Sequence, residues 1–132
     1  MKPLLLATAA LEAGVGVGLL AAPSAVAQVL LGATLDSPVA MAVARVAGAA
    51  LLALGVACWL AASDTESCAA RGVVSAMALY NLGAVIILAA AGSQWERAGI
   101  ALWPAVILHA AMTVWCITSL LRKRVMPSSH IP

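Results

Sequence analysis

Phenylalanine is absent from this chain, tyrosine occurs once, and charged side chains make up only 9% of its residues. An ordinary soluble domain is about a quarter charged and roughly half apolar. Here 64% of 132 residues are hydrophobic and the mean hydropathy is +1.08. Such a chain cannot cover itself with polar surface, so lipid is its expected solvent. The seven Lys and Arg give a net charge of +2 but form no patch, which argues against nucleic-acid binding.

Other absences narrow the chemistry. The three cysteines, Cys58, Cys68 and Cys116, make no CxxC and no even framework, so neither a zinc site nor dithiol redox chemistry is indicated. They read as small, soft apolar residues. His109 is the one histidine in an apolar stretch, with His130 in the tail, which excludes a bis-histidine haem within the membrane. There is no nucleophile elbow, phosphate-binding loop or metal-ligand spacing. No catalytic signature remains; the reading leans to a non-enzymatic role and leaves a membrane enzyme as an open alternative. Internal repeats and low-complexity tracts are also missing.

What is present is four apolar runs, at about 4–22, 39–62, 70–91 and 98–121. Each is close to or above the ~20 residues a helix needs to cross a hydrocarbon core. Helix is the expected conformation, because isolated strands would leave backbone groups unpaired in lipid. The spacing predicts a single all-α domain over 1–132, an antiparallel four-helix membrane bundle. In the first loop, 23–38, Ser24 is placed to cap a short helix and Gly32 to end it. Being mostly apolar, that helix is expected to lie along the membrane surface. Pro104 falls inside the fourth run, where a kink is expected. A rival reading treats the first run as a signal peptide with cleavage after Ala25-Val26-Ala27. Glu12 within the hydrophobic region opposes it, so a retained helix is expected.

Lys2, Arg71, Arg122, Lys123 and Arg124 fall on one side of these spans and Arg97 on the other. The positive-inside rule then places both termini in the cytoplasm. Trp95 and Trp103 are expected near the outer interface, Trp59 and Trp115 toward the inner one.

Each span carries a polar interruption: Glu12, Arg45, the pair Tyr80-Asn81, and His109. An ionisable group at membrane depth costs several kcal/mol and needs a partner or a water-filled cavity. At ~1.5 Å per residue, Glu12 lies roughly 12 Å and Asn81 about 15 Å from the inner boundary. His109 lies roughly 16 Å from the outer boundary and Arg45 about 9 Å from it. Glu12, Asn81 and His109 thus share nearly one level, within reach of a long Arg45 side chain. Small residues beside them (Thr8 and Gly16, Gly48, Gly83) suit an interior face. A buried polar layer is expected. Within it, Glu12 and Arg45 are expected to form an ion pair, with outward snorkelling of Arg45 as the alternative. Asn81 is expected to bridge helices. The spacing of Gly14 and Gly18 matches GxxxG, a weak indicator of dimerisation in so small-residue-rich a chain.

Gly18-Leu19-Leu20-Ala21-Ala22-Pro23, then Val29-Leu30-Leu31-Gly32, resembles the end of the first helix and outer loop in DoxX-like small four-helix bacterial membrane proteins. Arg45-Val46-Ala47-Gly48 with Gly55 resembles the pattern of their second helix. The layout covers the whole chain, the motifs only about 18–56. The resemblance implies a four-helix bundle of the bacterial inner membrane, often an accessory to redox systems and in some members near quinone chemistry. It brings no agreed catalytic residues.

Three functions follow as expectations. The first is a non-catalytic accessory or subunit of a membrane complex, with other membrane proteins or its own copies as partners. The second is a binding protein for a quinone-like or lipid-like molecule, with Glu12, Arg45, Tyr80, Asn81 and His109 lining a cavity and no permanent cofactor. There His109, Tyr80 or Asn81 would donate hydrogen bonds to a carbonyl. The third is a small proton-coupled transporter using Glu12 and His109.

Overall fold

A computed structural model describes residues 1–94 and 98–122. The expectations for Trp95, Arg97, Lys123, Arg124 and His130 lie outside the described residues. The described chain forms five helices and no strand: α1 (Lys2–Ala21), α2 (Pro23–Leu31), α3 (Pro38–Ala61), α4 (Cys68–Gln94) and α5 (Leu102–Arg122). All but α2 are long and apolar enough to cross a membrane. The protein is a multi-pass membrane protein.

Local chemistry sets the breaks. Ala22 precedes a proline, which disfavours the helical region, and its φ of −141° ends α1. Pro23 then opens α2 at the first helical position, where no N–H is needed. Gly32 closes α2 in the left-handed conformation at φ 79°, its N–H returning to the Gln28 carbonyl. Ser24, expected from the sequence to cap α2, does not do so, because Ala22 occupies the N-cap. Its hydroxyl instead meets the Leu35 backbone and ties α2 to the loop that follows. Ser37 caps α3 by accepting from the Ala40 N–H at 3.0 Å, and Ser67 does the same for Ala70 at the start of α4. α5 begins at Leu102 rather than near 98, so Pro104 sits in its first turn. There the missing N–H has no intrahelical partner to lose, and the expected kink is not required.

The helices associate as two antiparallel pairs, α1 with α3 and α4 with α5. Glycine decides the first pairing. A Cβ on Gly16 would lie 2.7 Å from the Leu52 amide nitrogen and 2.8 Å from the Gly48 carbonyl. A Cβ on Gly55 would meet the Ala13 amide at 3.0 Å. The two backbones therefore touch along a seam that admits no side chain. Gly14, of the GxxxG spacing, faces open space, and Gly18 faces Val26 of α2.

One apolar cluster joins the two pairs. Leu4, Leu5 and Ala9 of α1 meet Cys58 and, just after α3, Ala62; from the other pair come Val74, Met77, Met112 and Cys116. This end, which holds the start of α1, the α3–α4 connection and the end of α5, is closed. Cys58 and Cys116 are buried free thiols within it. α1 makes little backbone contact with α4 or α5 along its length, and beyond the cluster the pairs are separated by a cavity.

Candidate functional site

Four of the five polar residues singled out in the sequence meet where the closed core gives way to this gap. Glu12 is buried on the same face of α1 as Thr8 and Gly16. It is hydrogen-bonded to the hydroxyl of Tyr80, so the lone phenol joins α1 to α4. Asn81, 1% exposed, is the next residue on α4. Its amide nitrogen donates to the Met77 carbonyl one turn back, at 2.7 Å. Its Oδ1 lies 2.7 Å from Nδ1 of His109 on α5. The His109 ring also meets the Tyr80 ring edge to face, with centroids 5.8 Å apart and planes at 82°. Two hydrogen-bonded pairs and one ring contact thus link α1, α4 and α5 in a single polar layer.

Those bonds determine the histidine tautomer. With Nδ2 of Asn81 committed to a carbonyl, the atom facing His109 is an oxygen, which only accepts. Nδ1 of His109 must therefore carry the proton, and Nε2 on the far side of the ring holds a lone pair.

Arg45 does not belong to this layer. It is exposed on α3, and no ion pair joins it to Glu12 among the described residues. The expected salt bridge is replaced by the Tyr80–Glu12 hydrogen bond. The reason is the glycine seam: α3 lies backbone to backbone against α1 at Gly48, leaving no channel for a guanidinium to descend to Glu12.

Above the layer, between the helix pairs, is a cavity of about 470 Å³ with Glu12, Tyr80, Asn81 and His109 in its lining. The rest of its wall is apolar and comes from α1, α2, α4 and α5; Val15, Val26, Leu30, Leu88 and Ala105 are typical. Leu11, Val15 and Leu108 also line it while remaining about 40–50% exposed, which places its mouth on the lateral surface between α1 and α5. A second recess of about 570 Å³ adjoins it on the side of α3, and Tyr80 and His109 border both. Polar groups on one side and apolar walls elsewhere, with a volume in the few-hundred-Å³ range, are the attributes of a small-molecule site.

α2 forms the far wall. Ala25, Val26, Val29 and Leu30, at i, i+4 spacing, face the cavity. The helix is held there by the residue just before α5: the Ala101 N–H donates to the Val29 carbonyl at 3.0 Å, satisfying a carbonyl in the last turn of α2. Gly99 is buried so close to this turn that a Cβ would overlap the Val29 carbonyl.

The site is therefore a laterally open, polar-floored cavity in a four-span membrane protein. No protein-family model, no curated protein and no solved structure matches the chain.

Proposed function

We propose that the protein binds an apolar molecule carrying a small polar head, with the head on the Glu12–Tyr80–Asn81–His109 layer and the tail between α1, α2 and α5. The observation behind this reading is the cavity itself. A layer needed for folding alone would be expected to close over, whereas these four residues line a void. The mouth between α1 and α5 suits entry from lipid, without passage through the closed end. This reading takes precedence over an accessory-subunit role because it rests on a feature of this chain and needs no partner.

The membrane setting belongs to the same proposal. Lys2, Arg71 and Arg122 share the closed end, so the positive-inside rule puts that end, and both termini, in the cytoplasm of a bacterial inner membrane. α2 then lies at the outer surface as a lid over the cavity. Arg45, roughly 10 Å along α3 from Pro38, is within snorkelling reach of outer headgroups. Relationship to the DoxX-like group is part of the proposal too, resting on helix number and the motifs in 18–56.

Native mass spectrometry of gently purified protein tests the reading. A bound small molecule is expected on the wild type. Ala105→Trp, which fills the cavity one turn from His109, should lose it while melting near the wild-type temperature. Retention of the same molecule by a folded Ala105→Trp protein would sink the proposal.

A further inference from the structure

We infer that the head group this cavity selects is a hydrogen-bond donor, a neutral hydroxyl on an apolar body, rather than a carbonyl acceptor. The inference rests on the binding reading above and follows from counting which donors and acceptors remain free. Tyr80 has one hydroxyl proton, and it is engaged with Glu12. His109 in the tautomer derived above has one N–H, and Asn81 Oδ1 takes it. Asn81 Nδ2 gives one of its two N–H groups to the Met77 carbonyl, and with the side chain only 1% exposed the second is scarcely open to the cavity. The donors expected from sequence to greet a carbonyl are thus committed within the protein or, for the second N–H of Asn81, buried with its side chain.

What remains open to the cavity is an acceptor. Nε2 of His109 has no hydrogen-bond partner among the described residues, yet no buried side-chain nitrogen or oxygen is left unpaired. Nε2 is therefore not sealed within protein, and His109 lines both the cavity and its neighbouring recess. Glu12 places its carboxyl on the same cavity wall, with a second oxygen beyond the one engaged by Tyr80. A carbonyl brought to the Nε2 lone pair would meet like partial charge. A hydroxyl would satisfy it, and leaving a buried polar group unpaired is the costlier alternative. A cationic amine would also donate, but the apolar walls and lateral mouth favour a head that enters from lipid uncharged.

Three probes of equal chain length separate these cases: 4-nonylphenol, its methyl ether, and nonylamine, each titrated against the full-length protein in non-ionic detergent by native mass spectrometry. The phenol is expected to bind at least ~10-fold more tightly than the ether, the scale set by one hydrogen bond to a site built for it. Glu12→Gln, which replaces an acceptor oxygen by an amide, should shrink that ratio. Equal binding of phenol and ether to the wild type would overturn the donor preference while leaving the cavity reading intact. Tighter binding of the amine would overturn the neutral hydroxyl. Failure of all three to bind would overturn the cavity reading and this inference with it.

Discussion

Nδ1 of His109 and Oδ1 of Asn81, 28 residues apart in sequence, lie 2.7 Å from one another and hold α5 to α4 at the level of the cavity. Because Asn81 is anchored to its own helix by the Met77 carbonyl, the contact orients the imidazole as well as bonding it. The Tyr80–Glu12 bond does the corresponding work between α4 and α1. Both pairs use neighbouring residues of α4, so this helix is the hub of the site.

The Asn81–His109 bond should be measurable as a coupling. In a double-mutant cycle with Asn81→Ala and His109→Ala, unfolding in mixed micelles is expected to show an interaction energy of about 0.6–1.7 kcal/mol, the range found for hydrogen bonds between membrane helices. Additive effects would mean that the two side chains do not hold each other in the folded protein.

Arg45 and Glu12 should behave independently. Arg45→Gln and Glu12→Gln are expected to combine to within about 0.5 kcal/mol in the same assay, as residues without a shared partner do. A buried ion pair would instead produce strong coupling, with either single change costing ~3–5 kcal/mol.

The glycine-rich run of α1 offers a matched comparison. Gly16→Ala places a methyl against the Leu52 and Gly48 backbone and is expected to destabilise by roughly 1–3 kcal/mol, since neither helix can yield without opening the seam. Gly14→Ala meets nothing within 4 Å and should be neutral or stabilising by about 0.5–1 kcal/mol through helix propensity. Thermal unfolding in detergent distinguishes the two; equal responses would show that α1 and α3 do not touch at Gly16.

Proton-coupled transport through Glu12 and His109 would need a polar route to the closed end. Below Glu12 the interior is Leu4, Leu5, Ala9, Val74, Met77, Met112 and Cys116, with Thr8 as the one polar buried side chain of the described residues there. Proteoliposomes carrying the wild type and Glu12→Gln should therefore show the same proton flux under an imposed gradient. A flux that disappears in the variant would restore the transport reading.

Much of this arrangement can be read in the sequence, because it depends on local rules. Charge poverty and run length specify four membrane helices. Pro23 and Gly32 delimit α2, and Pro38 opens α3. Residue counting at 1.5 Å per residue brings Glu12, Asn81 and His109 to a common level. The apolar character of the 23–38 segment is plain in the sequence, although not what α2 covers.

Level along an axis is a one-dimensional property, and sequence supplies it. Which polar group meets which is a question of azimuth and of distance between helices, and that is decided by contacts remote in the chain. Arg45 shows the difference. Electrostatics alone pairs it with Glu12, but the backbone contact between Gly16 and Gly48 closes the space between them, and Tyr80 from another helix takes the place. The cavity likewise exists because the α1–α3 and α4–α5 pairs are cemented at one end and not beyond it, a consequence of packing that no single helix encodes.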